Sequence, residues 1–244
     1  MATSQTLSRR AEIIDVRRPF WDHLEDLRRH LLRALLWMGL GTAFAWRAAP
    51  RILEELVRPV GQVVYLSPAE PFLTLLKAAF LGGFVLSFPL LVLEASAFLR
   101  PAFSSAQRRA LLALILISTG LFLLGAWFGW RFLLPAALTV LLRFGQGFMT
   151  PMLTVGNAVS FAGWMVVASG LAFQIPLAVW LAARLGWVRP AALLKQWRLA
   201  VVGILILAAA LTPTPDVASQ LIVAALMGAL YLGSVGLAFL VRPR

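Results

Sequence analysis

Carboxylates lie among arginines just before the first long apolar run of the chain. Glu25 and Asp26 fall within residues 20–35, where leucines recur on one helical face and charged residues on another. Arginines there are expected at the cytoplasmic end of a membrane span, but acids gain nothing from an anionic lipid surface. The pattern predicts an amphipathic lead-in to the first span that binds something cationic. The apolar face is formed by Leu24, Leu27, Leu31 and Leu35.

The alternative is that both acids serve the helix itself. Asp26 can pair with Arg29 or His30, and Glu25 with Arg28 or Arg29, at helical spacing.

Glu94 is an acid inside the second apolar run, about one and a half turns before Arg100. It shares a helix face with Phe98, and a carboxylate there could accept a bidentate contact from a ligand arginine. It could equally pair with Arg100 or Arg108 of its own chain. Both interpretations stay open.

Gln174 lies in the fourth apolar run, two residues before Pro176. An amide in hydrocarbon needs a partner, either on another helix or at the backbone that the proline opens.

Asp216, in a Thr-Pro-Thr-Pro-Asp turn, is expected to cap the last helix.

Signatures of soluble enzymes are missing from the sequence. Both lysines, Lys77 and Lys195, follow leucine, so no phosphate-binding Gly-Lys-Ser/Thr loop exists. His23 and His30 are too few to build a metal site without further ligands. We therefore predict no cofactor, no metal site and no enzymatic activity.

The composition predicts an all-α integral membrane protein forming a single domain over residues 1–244, with a basic arm at 1–18. Hydrophobic residues make up 61% and charged residues 13% of the chain, with mean hydropathy +0.86. Six apolar runs approach the ~20 residues that a span needs. Prolines inside the second and fourth runs predict a kinked, concave bundle. The runs cover residues 31–46, 72–98, 110–134, 159–185, 199–211 and 217–241.

The fifth run is short: its 13 residues make a helix of about 20 Å against a hydrocarbon core of ~30 Å.

The distribution of basic residues predicts how the chain is oriented in the membrane. Of the 22 basic residues, 16 flank one side of the alternating runs and 5 the other. This bias predicts both termini in the cytoplasm. It also explains the net charge of +12 without a nucleic-acid partner.

Three ordered motifs resemble the TatC family of the twin-arginine protein translocase. They are His-Leu-Glu-Asp-Leu-Arg at 23–28, the spacing from Pro89 through Glu94, Phe98 and Pro101 to Gln107, and Thr-Pro-Asp-Val-Ala-Ser-Gln at 214–220. The resemblance covers nearly the whole chain. It implies a cytoplasmic-membrane receptor for twin-arginine signal peptides of folded proteins, working in an oligomeric complex. It further implies single-span TatA-type and TatB-type partners and transport driven by the proton-motive force.

The resemblance also implies two sets of site residues. Asp26 matches the family's N-terminal acid, whereas Gln107 stands where the first cytoplasmic loop carries another acid, and Glu94 is a candidate to compensate. The signal-peptide set is Glu25, Asp26, Arg28, Glu94, Phe98, Pro101 and Gln107. The partner-subunit set, on a lipid-facing groove of the last three spans, is Gln174, Leu205, Ile206, Asp216 and Gln220.

The rival function is a secondary transporter or permease for small solutes. Such proteins commonly contain internal repeats and gather polar groups at the bilayer midplane. Here no repeat is found and the polar groups collect at the cytoplasmic face, which favours the export receptor.

Overall fold

The computed structural model describes residues 20–99, 111–144, 151–184, 186, 190–211 and 217–239, and this part of the chain is almost entirely helical. The first half contains α1 (Phe20–Ala45), a 3₁₀ turn (Trp46–Ala48), α2 (Ala49–Val57), β1 (Val63–Val64) and α3 (Glu70–Leu99). Next come α4 (Leu111–Phe128), a π-helical stretch (Gly129–Leu133) and α5 (Leu134–Arg143). The remainder contains β2 (Leu153–Thr154), α6 (Val155–Ala172), α7 (Ile175–Arg184), α8 (Pro190–Lys195), α9 (Trp197–Leu211) and α10 (Val217–Phe239).

Four helical segments of the described chain are long and apolar enough to cross a membrane: Glu70–Phe98, Ala113–Arg143, Val155–Arg184 and Val217–Gly236. A fifth apolar helix, Trp197–Ala210, is shorter. These segments confirm the predicted all-α membrane class. The 15 residues of α9 give about 22 Å of helix, so this segment is short for a ~30 Å core, as the sequence indicates.

Helix α1 lies against α3 through small residues. A Cβ added at Gly41 would meet Gly83 O and Ser87 Oγ, and one added at Gly83 would meet the backbone of Thr42. Ser87 Oγ also donates a hydrogen bond to Trp37 O at 2.8 Å. Small side chains let two apolar helices approach closely and bond across their contact. The leucine face of α1 points away from this contact, with Leu24, Leu27, Leu31 and Leu35 between 40 and 57% exposed.

The core lies where α3, α4, α6 and α10 meet. Phe122 of α4 is fully buried and stacks on Phe88 of α3 with ring centroids 3.8 Å apart. Gly170 of α6 admits the Phe122 ring, since a Cβ at Gly170 would lie 2.5 Å from it. One end of the bundle is closed by α2, which packs on α3 and α6, and by a parallel pairing of β1 with β2.

Two prolines have different effects on the helices. Helical structure continues past Pro135 to Arg143, beyond the end at residue 134 that the apolar run predicts. The reason is the π-helical stretch before it, because widened turns can accommodate a proline in the first turn of α5. The fourth run is interrupted as predicted: α6 ends at Ala172 and α7 restarts at Ile175, beside Pro176.

Candidate functional site

Glu94 is buried between α1 and α3, with only 7% of its surface exposed. One carboxylate oxygen, Oε2, lies 2.6 Å from His30 Nδ1, and the other, Oε1, accepts a hydrogen bond from Trp37 Nε1 at 3.4 Å. His30 and Trp37 are seven residues apart on α1, two helical turns, and therefore face the same side. Both oxygens of the buried carboxylate thus have partners inside the chain, which offsets the cost of removing it from water.

The imidazole of His30 also contacts Phe98, with ring centroids 6.2 Å apart and an edge-to-face angle of 71°. Glu94 and Phe98 are four residues apart on α3, so their predicted shared face is observed, and His30 packs on it. The sequence offered Arg100 or Arg108 as intrachain partners for Glu94; both lie outside the described residues. His30 was missed as a partner because 64 residues separate the two side chains.

Glu25 pairs within its own helix, which is the alternative that the sequence offered for it. Its Oε1 lies 3.3 Å from Arg29 Nη2, one turn further along α1, and both side chains are about two-thirds exposed. Such a pair contributes little and exchanges readily with solvent or a ligand. Asp26 is half-buried beside it and Arg28 is exposed. The first turns of α1 therefore present accessible charge about one turn before the His30–Glu94 pair.

Three of the predicted site residues, Pro101, Gln107 and Asp216, lie outside the described residues. Within the described part of the chain, no three His, Cys, Asp or Glu side chains are grouped to hold a metal ion.

Gln174 is bonded within the chain to α4. Its Oε1 accepts a hydrogen bond from Ser118 Oγ at 2.7 Å, and its Nε2 donates to Ser118 O at 3.0 Å. Ser118 is buried, with 4% of its surface exposed. This reciprocal pair satisfies the amide on a neighbouring span, and the signal that could have indicated it is the Ser-Thr pair at 118–119 in the third apolar run.

The other predicted partner-contact residues come together where α9 packs on α10. Leu205 is 37% and Ile206 64% exposed on α9. Gln220 Nε2 on α10 donates to Leu205 O at 3.3 Å. The arrangement is an apolar, outward-facing surface with one amide at its edge.

Comparison with known proteins bears directly on this architecture. The family model described as Sec-independent protein translocase protein (TatC) matches residues 22–225. The chain belongs to the TatC family. The match begins before Glu25 and ends after Gln220, so it contains every predicted site residue.

TatC relatives match at similar levels. The chain is 33% identical over 228 residues to TatC of Carboxydothermus hydrogenoformans, covering 92% of this chain and 94% of the relative. It is 33% identical to TatC of Deinococcus radiodurans, covering 87% and 83%. The crystal structure of the twin-arginine translocase receptor TatC matches with TM-score 0.80 and 32% identity, covering 89% of this chain and 98% of that one.

The chain is accordingly a TatC-family component of the twin-arginine translocase and a multi-pass membrane protein. This assignment supports the export interpretation over the small-solute transporter.

Proposed function

We propose that this chain is the receptor and core of a twin-arginine translocase in the cytoplasmic membrane. In this proposal six helices cross the bilayer, both termini lie in the cytoplasm, and cargo moves under the proton-motive force without any covalent reaction. The similarity to a solved twin-arginine receptor and the 16-to-5 division of basic residues support it.

The observation that carries the proposal is the cluster at the junction of α1 and α3. Glu25 and Asp26 precede His30 on α1, and His30 contacts both Glu94 and Phe98 on α3. Carboxylates in this setting suit the planar guanidinium of arginine, which can make two parallel hydrogen bonds to each acid. We assign first contact with the signal peptide to Glu25 and Asp26, aided by Arg28, Pro101 and Gln107.

Glu94 enters this proposal by exchange. Its oxygens already contact His30 and Trp37 and only 7% of its surface is exposed, so we propose that a signal-peptide arginine reaches Glu94 by displacing one of these two side chains. The Trp37 bond, at 3.4 Å, is long and is the weaker of the two.

The test is a titration of the purified full-length protein with a twin-arginine signal peptide and with a twin-lysine control. The arginine peptide should bind more tightly because a point-like ammonium cannot reproduce the guanidinium fork. Asp26→Ala and Glu25→Ala should weaken binding more than Glu94→Ala. Unchanged affinity in the triple variant would exclude this site.

We further propose that single-span TatA-type and TatB-type subunits dock on the α9–α10 surface of Leu205, Ile206 and Gln220, extending toward Asp216. The short α9 supports this, because a helix of about 22 Å leaves part of a ~30 Å core to be shielded by another helix. Gln174 adds a fourth-span contact in this proposal. Its amide is already paired with Ser118, so a partner's polar group there must add to that pair or displace it.

Photocrosslinkers at Leu205 and Ile206 test the docking surface in membranes. A probe at Leu116 is the matched control, since this α4 residue is 74% exposed and lies outside the surface. The α9 probes should capture a small single-span subunit more strongly. Equal capture at Leu116 would rule out a specific surface on α9.

A further inference from the structure

Lys77 is a basic residue within an apolar helix, and none of the ion pairs in the described part of the chain includes it. Its Nζ donates a hydrogen bond to Ser160 Oγ at 2.8 Å, and Ser160 Oγ in turn donates to Gly156 O at 2.7 Å. An ammonium has three donors, and a hydroxyl partner leaves its charge uncompensated. A cation in a membrane-spanning helix with no counter-charge among the described residues is a candidate ligand-binding residue.

An apolar groove of about 660 Å³ begins at Lys77 and runs between α1, α3 and α6. Phe80, Phe84, Trp164 and Val167 form much of its wall. Its volume is within the range of about 300–1,000 Å³ that small-molecule sites occupy. Phe80 is 51% and Trp164 47% exposed, so the groove opens laterally toward lipid.

A second, polar pocket of about 290 Å³ lies on the other side of Lys77. Its lining includes Glu70, Thr74, Asn157 and Lys77. The carboxylate of Glu70 accepts hydrogen bonds from Leu66 N at 2.8 Å and Gly156 N at 2.9 Å. A cation and an anion therefore line one pocket without forming an ion pair with each other.

The position of Lys77 along α3 matches a membrane boundary. The 30 residues of α3 extend about 45 Å, which exceeds a ~30 Å core by about 15 Å. Lys77 follows Glu70 by seven residues, about 10 Å along the axis. With the start of α3 outside, as the proposed topology requires, the polar pocket lies at headgroup level and the groove in the hydrocarbon.

We propose that this double cavity binds a phospholipid of the outer leaflet whose headgroup carries a phosphate and a primary ammonium. The phosphate accepts from the N–H donors of Lys77 that Ser160 does not use, the ammonium faces Glu70, and an acyl chain occupies the groove. A headgroup of this kind complements both charges of the pocket. An uncharged ligand would supply a counter-charge to neither side chain, and a purely anionic one would supply none to Glu70.

The experiment measures lipid retained by the full-length protein in nanodiscs with equal amounts of phosphatidylethanolamine, phosphatidylglycerol and phosphatidylcholine. Native mass spectrometry should find phosphatidylethanolamine enriched on the wild type. Lys77→Gln should lower its retention about fivefold, the factor expected for one lysine at a phosphate surface. Lys195→Gln, at the chain's other lysine, is the matched control and should leave retention unchanged.

Two further variants separate headgroup from chain recognition. Glu70→Gln should remove the preference for phosphatidylethanolamine over phosphatidylcholine. Gly163→Leu should lower retention of all three lipids, because a Cβ there meets only Leu81 at ordinary contact distance and a larger side chain fills the groove.

The lipid assignment would be overturned if Lys77→Gln left phosphatidylethanolamine retention unchanged or if the wild type showed no preference among the three lipids. A preference for phosphatidylglycerol would also overturn it. A photocrosslinker at Trp164 should label lipid; labelling of an added signal peptide instead would assign the groove to that peptide. Twin-arginine peptide affinity is measured on the same samples. Normal peptide binding without lipid retention would reject the lipid site alone, and the converse would reject the receptor function alone.

Discussion

The two ionisable residues in the body of α3 are accommodated in opposite ways. Glu94, near the end of the helix, is buried and shares its carboxylate between His30 and Trp37 of α1. Lys77, near the beginning, is exposed, and its hydrogen bond within the described residues goes to the Ser160 hydroxyl. The difference lies in what faces each charge: α1 supplies an imidazole and an indole N–H to Glu94, whereas no acidic side chain of the described residues forms an ion pair with Lys77. The chain therefore satisfies one charge by folding and leaves the other to an external ligand.

Removing His30 should have the largest effect on stability. His30→Leu leaves the buried Glu94 carboxylate without its closest partner, and breaking a buried pair in this way costs about 3 kcal/mol. The free energy of unfolding in detergent should fall by that amount. Adding Glu94→Leu should restore most of the loss. A double variant as unstable as His30→Leu would mean that the pair is not what holds α1 on α3 here.

Weakening the close contact between α1 and α3 should cause the second-largest loss of stability. Gly83→Ala places a Cβ against the Thr42 backbone, and such overpacking costs about 2 kcal/mol. Gly39→Ala on α1 is the control, since nothing lies within 4 Å of a Cβ there. Proteolysis of α1 should accelerate in Gly83→Ala only. Equal sensitivity of the two variants would contradict a close contact at Gly83.

Replacing Gln174 should have a smaller effect. Gln174→Leu removes a reciprocal pair with Ser118, and interhelical hydrogen bonds in membranes contribute about 1 kcal/mol. Ser118→Ala should cost a similar amount, and the double variant little more than either. Additive losses, measured by thermal unfolding, would indicate that the two side chains have other partners.

Lys77 should matter least to folding. Because its charge is exposed and unpaired within the described residues, Lys77→Gln should change the unfolding free energy in uncharged detergent by less than about 0.5 kcal/mol. A destabilisation as large as that of His30→Leu would show that Lys77 is a structural counter-charge, and the contrast between the two ends of α3 would disappear.

Much of the fold could be predicted from local patterns. The break beside Pro176 and the short α9 each follow from a few consecutive residues. The continuation of helix past Pro135 could not, since it depends on the π-helical stretch packed on α6, where Gly129 approaches Ser169.

In the candidate site, too, contacts within one helix could be predicted from the sequence, whereas contacts between helices could not. Glu25 and Arg29 pair within one turn, and this alternative was visible in the sequence. The sequence could place Glu94 and Phe98 on one face but could not say that an imidazole would lie against both.

The sequence by itself determined the membrane class, the helical architecture, the charge asymmetry and the family, because each is written in composition, periodicity or ordered motifs along the chain. Only the tertiary structure decided which polar group meets which: His30 with Glu94 across 64 residues, and Ser118 with Gln174 across 56. Those pairings depend on how each helix is rotated and how closely two helices approach. Small residues such as Gly41 and Gly83 permit that approach, but which helix packs against them is decided only in the assembled bundle.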